Sequence, residues 1–382
     1  MQKCGTCGLP ETYETIEFDA HGVCNICRQK EHKDEAIDWS DRKLMLDDLI
    51  AEYKGKYDYD CIIPFSGGKD STFTLKYLIE EYKLKPLVVQ FNHGFLRPNL
   101  LKNNERTLRK LGVDFLTFTP NWKLVKRLML ESLIRKGDFC WHCHTGIFAY
   151  PMHIAIKFNV PLIFWGEPSS EYTAYYDYRD DEIESVDEER FNRYVNLGIT
   201  AEDMSGMIRD DFEFDPRDLT PFTYPNSRDL RRLGYRSVCL GSFIPWDVKR
   251  QSKIIMDELG WQGDQVEGMP WEEYPYEKIE CYMQGVRDYI KYLKRGYSRV
   301  SQMTALDIRN GRISKAAADK LVAEFEGKRP PSLELFLEYL DLTEDQFNQI
   351  VLKTVVPPFE PKFDEIQTAP KTADFDHWYR EK

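Results

Sequence analysis

Residues 66–71, Ser-Gly-Gly-Lys-Asp-Ser, combine the residue types with which proteins hold a diphosphate. Two adjacent glycines let backbone N–H groups point at anionic oxygens, and the lysine adds a positive point charge. A helix that begins at Ser71 would add the positive end of its dipole. The spacing differs from the G-x-x-x-x-G-K-[ST] pattern of a Walker loop. The sequence therefore predicts a diphosphate site of another kind, with the binding residues Ser66, Gly67, Gly68, Lys69, Asp70 and Ser71.

Four cysteines near the start of the chain form a second group that could do chemistry. They are arranged as two C-x-x-C pairs, separated by 16 residues that include several turn formers. Each pair can place two thiolates on one tight turn, and four thiolates close a tetrahedral zinc site of the structural type. The spacing predicts a zinc ribbon whose ligands are Cys4, Cys7, Cys24 and Cys27.

Residues 140–144, Cys-Trp-His-Cys-His, place two thiols and two imidazoles ahead of a predicted helix. Three functions are open for this segment. It could be half of a metal or iron–sulfur site, a nucleophilic dithiol, or a pocket wall that positions a substrate through its imidazoles. A turn with buried sulfurs is the structural alternative. Cys239 could supply a third thiolate, although its apolar neighbours favour simple burial.

Acidic residues follow the predicted strand at 160–165, at the edge of the sheet where the glycine loop should also lie. Glu167 and Glu171 are candidates for contacts with Mg²⁺ or with a substrate hydroxyl group, because a carboxylate there is costly unless it is paired. Tyr172 lies directly beside Glu171. This segment is therefore predicted to face the ligand.

Basic residues in two later segments are further candidates. Asp247 is a possible helix N-cap, and Lys249 just inside that helix is either a phosphate contact or a solvated charge. In the helical tail, Arg299, Arg309 and Arg312 are spaced so that some of them could share one anionic ligand. A guanidinium group suits this because it binds carboxylates and diphosphates with two hydrogen bonds.

Strands and helices alternate in the region that carries the glycine loop. Apolar runs predict strands at 62–63, 86–91, 113–118, 160–165 and 238–243, and amphipathic segments predict helices at 41–56, 72–82, 99–111, 124–134, 147–158 and 247–259. Short apolar strands between helices imply a doubly wound parallel sheet, an α/β fold covered on both faces. A ligand should lie at the carboxyl ends of the strands, beside Gln90 and Phe91.

The chain is predicted to have three regions: a zinc-ribbon-like segment at 1–40, an α/β domain at 41–275, and a helical region with an extended tail at 276–382. Helices are expected in the last region at 277–295, 314–326, 333–340 and 344–352. Residues 177–190 contain eight acidic residues and two arginines, a pattern typical of a solvated flap.

Composition limits the classes of function. The chain has a net charge of -12, which argues against broad binding to nucleic acid. An apolar run of the roughly 18 residues that a membrane helix needs is absent from the sequence, and so is a signal-peptide pattern at its start. Nine cysteines in a chain of 382 residues fit metal or catalytic thiols in a reducing cell better than disulfides. A cytoplasmic location is expected.

Together these segments resemble the N-acetyl sugar amidotransferases of bacterial surface-glycan biosynthesis, which form acetamidino sugars of lipopolysaccharide O-antigen and belong to the PP-loop ATP pyrophosphatases. The matching segments, between residues 4 and 312, are the two C-x-x-C pairs, Ser-Gly-Gly-Lys-Asp-Ser, Cys-Trp-His-Cys-His-Thr-Gly, Trp-Gly-Glu-Pro-Ser-Ser-Glu-Tyr, Ile-Pro-Trp-Asp-Val-Lys and Asp-Ile-Arg-Asn-Gly-Arg. The loop occurs in many enzymes, whereas the combination is much more specific.

The resemblance implies that ATP, Mg²⁺ and Zn²⁺ are cofactors and that an acetamido oxygen attacks ATP. It implies catalytic functions for Lys69, Asp70, Glu167, Lys249 and His142, and ATP binding by residues 66–71 with Gln90 and Phe91. Substrate contacts are expected from Cys140, Cys143, His144, Glu171, Tyr172, Arg299 and Arg309. A separate glutaminase that resembles the one of histidine biosynthesis would supply ammonia, in some cases with a cyclase-like companion.

Two alternatives are weighed beside this one. A tRNA thiolation enzyme also joins N-terminal C-x-x-C pairs to this loop, and Cys140, Cys143 and Cys239 would then hold an iron–sulfur cluster. The acidic charge and the Glu-Pro-Ser-Ser-Glu segment at 167–171 favour the sugar enzyme over it. A zinc-ribbon adaptor that only binds nucleotide is the non-enzymatic alternative, and the dense Cys/His segment gives it no support.

Overall fold

The computed structural model describes residues 1–167, 183, 185–210 and 212–372. Its strands are β1 (Cys61–Pro64), β2 (Pro86–Phe91), β3 (Asp114–Phe118), β4 (Leu162–Trp165) and β5 (Arg236–Cys239). Its α-helices are α1 (Asn25–Ala36), α2 (Trp39–Tyr53), α3 (Lys69–Tyr82), α4 (Pro98–Leu111), α5 (Trp122–Lys136), α6 (Trp141–Phe158), α7 (Glu188–Arg190), α8 (Ala201–Ile208), α9 (Ser227–Leu233), α10 (Val248–Leu259), α11 (Gln284–Arg295), α12 (Arg299–Arg309), α13 (Lys315–Phe325), α14 (Ser332–Leu340) and α15 (Glu344–Leu352).

The chain forms two compact units. The sheet unit contains residues 38–167 and the described residues of Ile183–Gly263, and the ribbon unit contains residues 1–37 and 264–372. The three regions expected from the sequence remain a prediction.

The sheet unit is built on five parallel strands in the order β3-β2-β1-β4-β5. β1 pairs with β2 in a register that places Cys61 opposite Pro86. Every residue of β1 and β2 is buried, so helices must cover both faces of these strands. The predicted doubly wound α/β sheet is thereby confirmed. The order of connection reverses between β1 and β4, so a crevice opens at the carboxyl ends of these two neighbours.

Three boundaries differ most from the sequence-based expectation. β5 ends at Cys239, and Leu240–Ser242 form a 3₁₀ turn instead of continuing the predicted strand to residue 243. The helix expected from residue 277 begins at Gln284, because Lys278 has a φ of 50° that an α-helix does not accommodate. α6 begins at Trp141, so the Cys/His segment forms the first turn of that helix instead of preceding it.

The ribbon unit contains α1 and α11 to α15. The sequence analysis missed α12, because buried polar residues such as Gln302, Thr304 and Asp307 interrupt its apolar pattern. The N-terminal loops pack on α11 and α12: the Thr12 hydroxyl donates a 2.5 Å hydrogen bond to the Arg295 carbonyl, and the Arg295 guanidinium donates to the Thr12 carbonyl at 2.6 Å. None of the described helices in either unit is both long and apolar enough to cross a membrane.

Candidate nucleotide-binding site and metal centre

The loop at residues 65–68 connects β1 to α3 at the crevice of the sheet. Gly67 has a φ of 85°, a conformation that residues with a Cβ rarely adopt. A Cβ at Gly67 would also lie 1.9 Å from Oδ1 of Asn104. Glycine at this position therefore meets both a conformational and a steric requirement. The Trp261 indole N–H donates a 3.0 Å hydrogen bond to the Gly67 carbonyl and so fixes the turn.

Two serine hydroxyls lie on the donor side of the loop. The Gly67 N–H donates to Oγ of Ser71 at 3.1 Å, and the Gly68 N–H donates to Oγ of Ser66 at 3.2 Å. The two hydroxyl oxygens are 3.2 Å apart. Adjacent N–H groups thus converge on neighbouring oxygens at the N-terminus of α3, which is the donor arrangement that phosphate oxygens require.

Lys69 and Asp70 place a charge pair beside these donors. The Lys69 side chain is only 3% exposed, and its Nζ lies 2.9 Å from Oδ2 of Asp70. The other oxygen of Asp70, Oδ1, is buried without a hydrogen-bond partner among the described residues. Leaving a buried carboxylate oxygen unpaired is costly. The pair therefore has capacity for a further cationic or donor group, which fits a metal–nucleotide complex.

A cavity of about 170 Å³ lies in front of the loop. Its walls come from the carboxyl ends of β1, β2, β4 and β5 and from α6, and its lining includes Ser66, Asp70, Ser71, Gln90, Phe91, His93, Ile147, Phe148, Trp165, Glu167, Arg190 and Cys239. The Gln90 amide donates to the Ser66 carbonyl at 3.4 Å, which ties β2 to the loop. The structure thus brings together the predicted loop, Gln90, Phe91 and Glu167, whose binding and catalytic functions remain predictions.

Two titratable lining residues were missed by the sequence analysis. His93 comes three residues after Gln90, and it is 6% exposed. Its Nδ1 accepts a 3.3 Å hydrogen bond from the Phe95 N–H, so the ring proton of the neutral form lies on Nε2. Burial lowers the pKa of His93 to about 3. The position directly after a buried strand was the available signal for this residue.

The second missed residue is Arg190, which belongs to the acidic segment expected to be a solvated flap. Half of that segment lies outside the described residues, but Val186 is 2% exposed, and Arg190 lines the cavity. The Arg190 guanidinium lies 5.8 Å from the centre of the Phe148 ring, which stacks on Trp165 with 4.7 Å between ring centres. The expectation of a wholly solvated flap is therefore wrong for these two residues, and a cationic group borders an aromatic wall.

The Cys/His segment lies in the first turn of α6. His142 is 2% exposed, with Nε2 3.4 Å from the His93 carbonyl, and burial lowers its pKa to about 4. Cys140 is buried at the N-cap, whereas Cys143 and His144 are half-buried. Within the described residues, only the N-terminal cysteines form a cluster of three or more possible metal ligands, so Cys140 and Cys143 are not gathered with a third ligand.

The remaining predicted residues lie in several places. Lys249 is half-buried in the first turn of α10, after the predicted N-cap Asp247, whose side chain accepts hydrogen bonds from the N–H groups of Lys249 and Arg250. Glu171 and Tyr172 lie outside the described residues.

Arg299 and Arg309 belong to the ribbon unit. The Arg299 guanidinium is buried within 3.6 Å of the Glu277 carboxylate and 3.5 Å of the Asp288 carboxylate. Arg309 is half-buried, and its positive charge contributes to lowering the pKa of Cys7. The substrate functions predicted for both arginines remain predictions.

The four N-terminal cysteines form a metal-binding arrangement in the ribbon unit. Their Sγ atoms all lie within 4.8 Å of one another, and all four residues are buried. The 3.7 Å distance between Sγ of Cys7 and Sγ of Cys24 is close to the edge of about 3.8 Å expected for a ZnS₄ tetrahedron with bonds of about 2.3 Å. Hydrogen bonds from the Cys24 and Cys27 thiols lower the pKa of Cys7, which favours a thiolate. Tyr13, Tyr297 and Ala305 pack around the cluster.

A five-stranded parallel sheet with a glycine loop at its crevice is an α/β architecture that places a candidate ligand site at the carboxyl ends of its strands. Residues 271–369 match the family described as "LPS biosynthesis protein WbpG-like, C-terminal domain". The chain is also 26% identical over 146 residues to the uncharacterized protein MJ1599 of Methanocaldococcus jannaschii. That alignment covers 37% of this chain and 50% of the relative, so the chain spans about half the length of the curated relative that it matches.

Among solved structures, the U34-tRNA thiolase NcsA from Methanococcus maripaludis with its 4Fe-4S cluster is similar to this chain at 14% sequence identity. The similarity covers 84% of this chain and 89% of the thiolase, with a TM-score of 0.31. This TM-score is too low to support an argument about function.

Proposed function

We propose that this protein is an ATP-dependent amidotransferase that converts an acetamido group of a nucleotide-linked sugar into an acetamidino group, in the biosynthesis of lipopolysaccharide O-antigen or a related surface glycan. The observation that carries the ATP-dependent part is the loop geometry, in which two N–H groups lie at a helix N-terminus and are followed by the buried Lys69–Asp70 pair. The match of residues 271–369 to the WbpG-like domain supports the assignment to lipopolysaccharide biosynthesis.

In the proposed reaction, the acetamido oxygen attacks the α-phosphorus of ATP, and the bond to the bridging oxygen breaks to release pyrophosphate. The product is an O-adenylyl imidate. Ammonia then adds to the imidate carbon, a proton is lost, and AMP leaves with the former acetamido oxygen. The chain contributes by positioning the reactants and by neutralising charge on the phosphates. Lys69 and the N–H groups of Gly67 and Gly68 would stabilise the departing pyrophosphate.

Two carboxylates that line the cavity would hold Mg²⁺. Asp70 fits this function because its Oδ1 is buried without a partner among the described residues, and Glu167 lines the same cavity. Bound Mg²⁺ would supply positive charge to the phosphate oxygens. The apolar lining, with Phe91, Phe148 and Trp165, would limit the access of water that hydrolyses the imidate.

Zinc is the metal proposed for the N-terminal cluster, because four buried thiolates with tetrahedral spacing leave no open coordination position. Its proposed function is structural. Ammonia is proposed to come from a separate glutaminase that resembles the histidine-biosynthesis enzyme, in some systems with a cyclase-like companion. Ammonium supplied at raised pH should then replace the glutaminase, whereas strict dependence on the partner would mean that it also activates this chain.

The decisive experiment is mass spectrometry of the protein with MgATP, ammonium and a panel of nucleotide-linked diacetamido sugars. The expected result is sugar-dependent AMP and a product lighter than its acceptor by the difference between an oxygen atom and an NH group. Turnover that produces AMP without this mass change would contradict amidination. Absence of turnover, together with an iron-containing brown protein, would favour the tRNA thiolation alternative.

A further inference from the structure

Asn104 in α4 is a buried polar residue that the reaction described above does not use. It is 5% exposed, and neither Nδ2 nor Oδ1 has a hydrogen-bond partner among the described residues. A buried carboxamide with both polar atoms unpaired destabilises the folded state. In folded proteins, the polar atoms of such a residue are typically hydrogen-bonded to a ligand or to an ordered water molecule.

The carboxamide of Asn104 lies directly against the glycine loop. The position of a Cβ built on Gly67 would be 1.9 Å from Oδ1 of Asn104 and 2.7 Å from Nδ2. Asn104 also lines a groove of about 670 Å³ together with Gln90 and Thr117. The Gln90 amide borders both this groove and the cavity in front of the loop. The unpaired donor of Asn104 is thus placed beside the predicted diphosphate site.

The surroundings hold Asn104 in this position. The side chain of the preceding residue, Asn103, donates to the Gln262 carbonyl at 2.7 Å and accepts from the Gln262 N–H at 2.9 Å. The neighbouring Trp261 donates to the Gly67 carbonyl. Helix α4, the segment at 261–262 and the glycine loop are therefore linked by hydrogen bonds, which hold the backbone of Asn104 beside the loop.

We propose that Asn104 is a further binding residue for the diphosphate group of the nucleotide, to which its Nδ2 donates a hydrogen bond. This inference rests on the proposed use of ATP and is independent of the acceptor and of the amidination step. A carboxamide donor strengthens the binding of an anion. Because it is neutral, it adds no positive charge from which pyrophosphate would have to dissociate. A hydrogen bond to a charged group typically contributes about 1.5–3 kcal/mol, which corresponds to a change in affinity of about 10- to 100-fold.

The test is calorimetric binding of magnesium pyrophosphate to the full-length protein. Asn104→Leu removes both polar atoms at similar size, and we expect it to weaken binding at least about tenfold while the melting temperature is kept or raised. Asn104→Asp replaces the donor with an acidic group, and we expect a larger loss that shrinks at high salt. Glu105→Ala, on the exposed side of the same helix, is the matched control and should bind like the wild type.

Wild-type affinity in the Leu or Asp variant, in a protein that retains its fold, would overturn the inference and assign the carboxamide to solvent in the groove. Absence of pyrophosphate binding by the wild-type protein would overturn both the inference and the loop assignment. Binding that is lost in Asn104→Leu and Asn104→Asp, in a protein that does not amidinate any sugar, would support this inference while contradicting the proposed reaction. The two hypotheses therefore fail in distinguishable ways.

Discussion

The cysteine cluster and the glycine loop are both formed by short turns, but they use their polar groups in opposite ways. In the cluster, four thiols point at one another across distances that suit a single metal ion, and aromatic residues enclose them. In the loop, Asp70 and the nearby Asn104 keep buried polar atoms without partners in the described part of the chain. A site whose ligands are all satisfied by one metal ion stabilises a fold. A site whose donors and acceptors lack hydrogen-bond partners is suited to binding and releasing a ligand.

The largest expected effect tests whether the loop binds pyrophosphate or is only a structural turn. Lys69→Ala should reduce pyrophosphate release by at least about 1,000-fold, because in the proposed reaction it removes the buried cation that stabilises the developing charge. Pyrophosphate release and far-UV circular dichroism should be measured together. Lys102→Ala, which removes an exposed lysine from α4, is the control and should retain activity. Normal release by a folded Lys69→Ala protein would refute the loop assignment.

The second prediction concerns the cysteine cluster, where a substitution should lower the stability of the protein instead of its catalytic rate. Cys24→Ser should lose bound metal and lower the free energy of unfolding by about 3 kcal/mol or more, since metal binding contributes directly to folding. Metal analysis and thermal unfolding would measure this. Cys281→Ser, in the same unit but outside the cluster, should keep its metal. A folded and metal-replete Cys24→Ser protein would show that the cluster is not the metal site.

The third prediction tests whether the loop requires glycine at position 67. Gly67→Ala should weaken pyrophosphate binding more than about tenfold and lower stability by about 1–2 kcal/mol, because a Cβ would meet Asn104 in a strained backbone conformation. Gly112→Ala is the matched control, since Gly112 also has a positive φ, of 65°, but open space around its Cβ position. The Gly112→Ala variant should lose stability but bind pyrophosphate as tightly as the wild type. Equal binding losses in both variants would mean that the contact with Asn104 is unimportant.

The last prediction, which leaves ligand binding unchanged at neutral pH, is a pH dependence of the stability of the sheet unit. Burial lowers the pKa of His142 to about 4, below the value of about 6.5 in the unfolded chain. The unfolded state therefore binds more protons between these values, and stability falls as the pH falls through this window. At pH 5, the shifted pKa of His142 should lower the free energy of unfolding by about 2 kcal/mol.

Urea unfolding at pH 7 and pH 5 would measure this difference. His142→Gln should show a smaller loss of stability on acidification than the wild type, whereas a variant of the exposed His21, His21→Gln, should lose as much as the wild type. An unchanged pH dependence in His142→Gln would mean that other groups control the acid response.

Local patterns were sufficient to predict the sheet, the glycine loop and the cysteine cluster. The bounds of β2 and α15 agree with the predicted segments, because apolar runs and turn residues mark their ends. Asn104 could not be found in this way, since an asparagine in an amphipathic helix looks like part of the solvent face. Its burial depends on the contact with Gly67, and Arg190 was likewise hidden among acidic neighbours. Both required knowledge of which distant segments meet.

The hydrogen bonds between Thr12 and Arg295 join residues that are 283 positions apart. On the ribosome, the cysteine pairs therefore emerge long before the helices that cover them. The proposed zinc could be captured early, but the apolar surface of the cluster, including Tyr13, stays uncovered until α11 and α12 have been synthesised. The ribbon unit is thus completed late in the synthesis of each chain, and a truncated product that lacks α11 and α12 would expose this surface to chaperones and proteases.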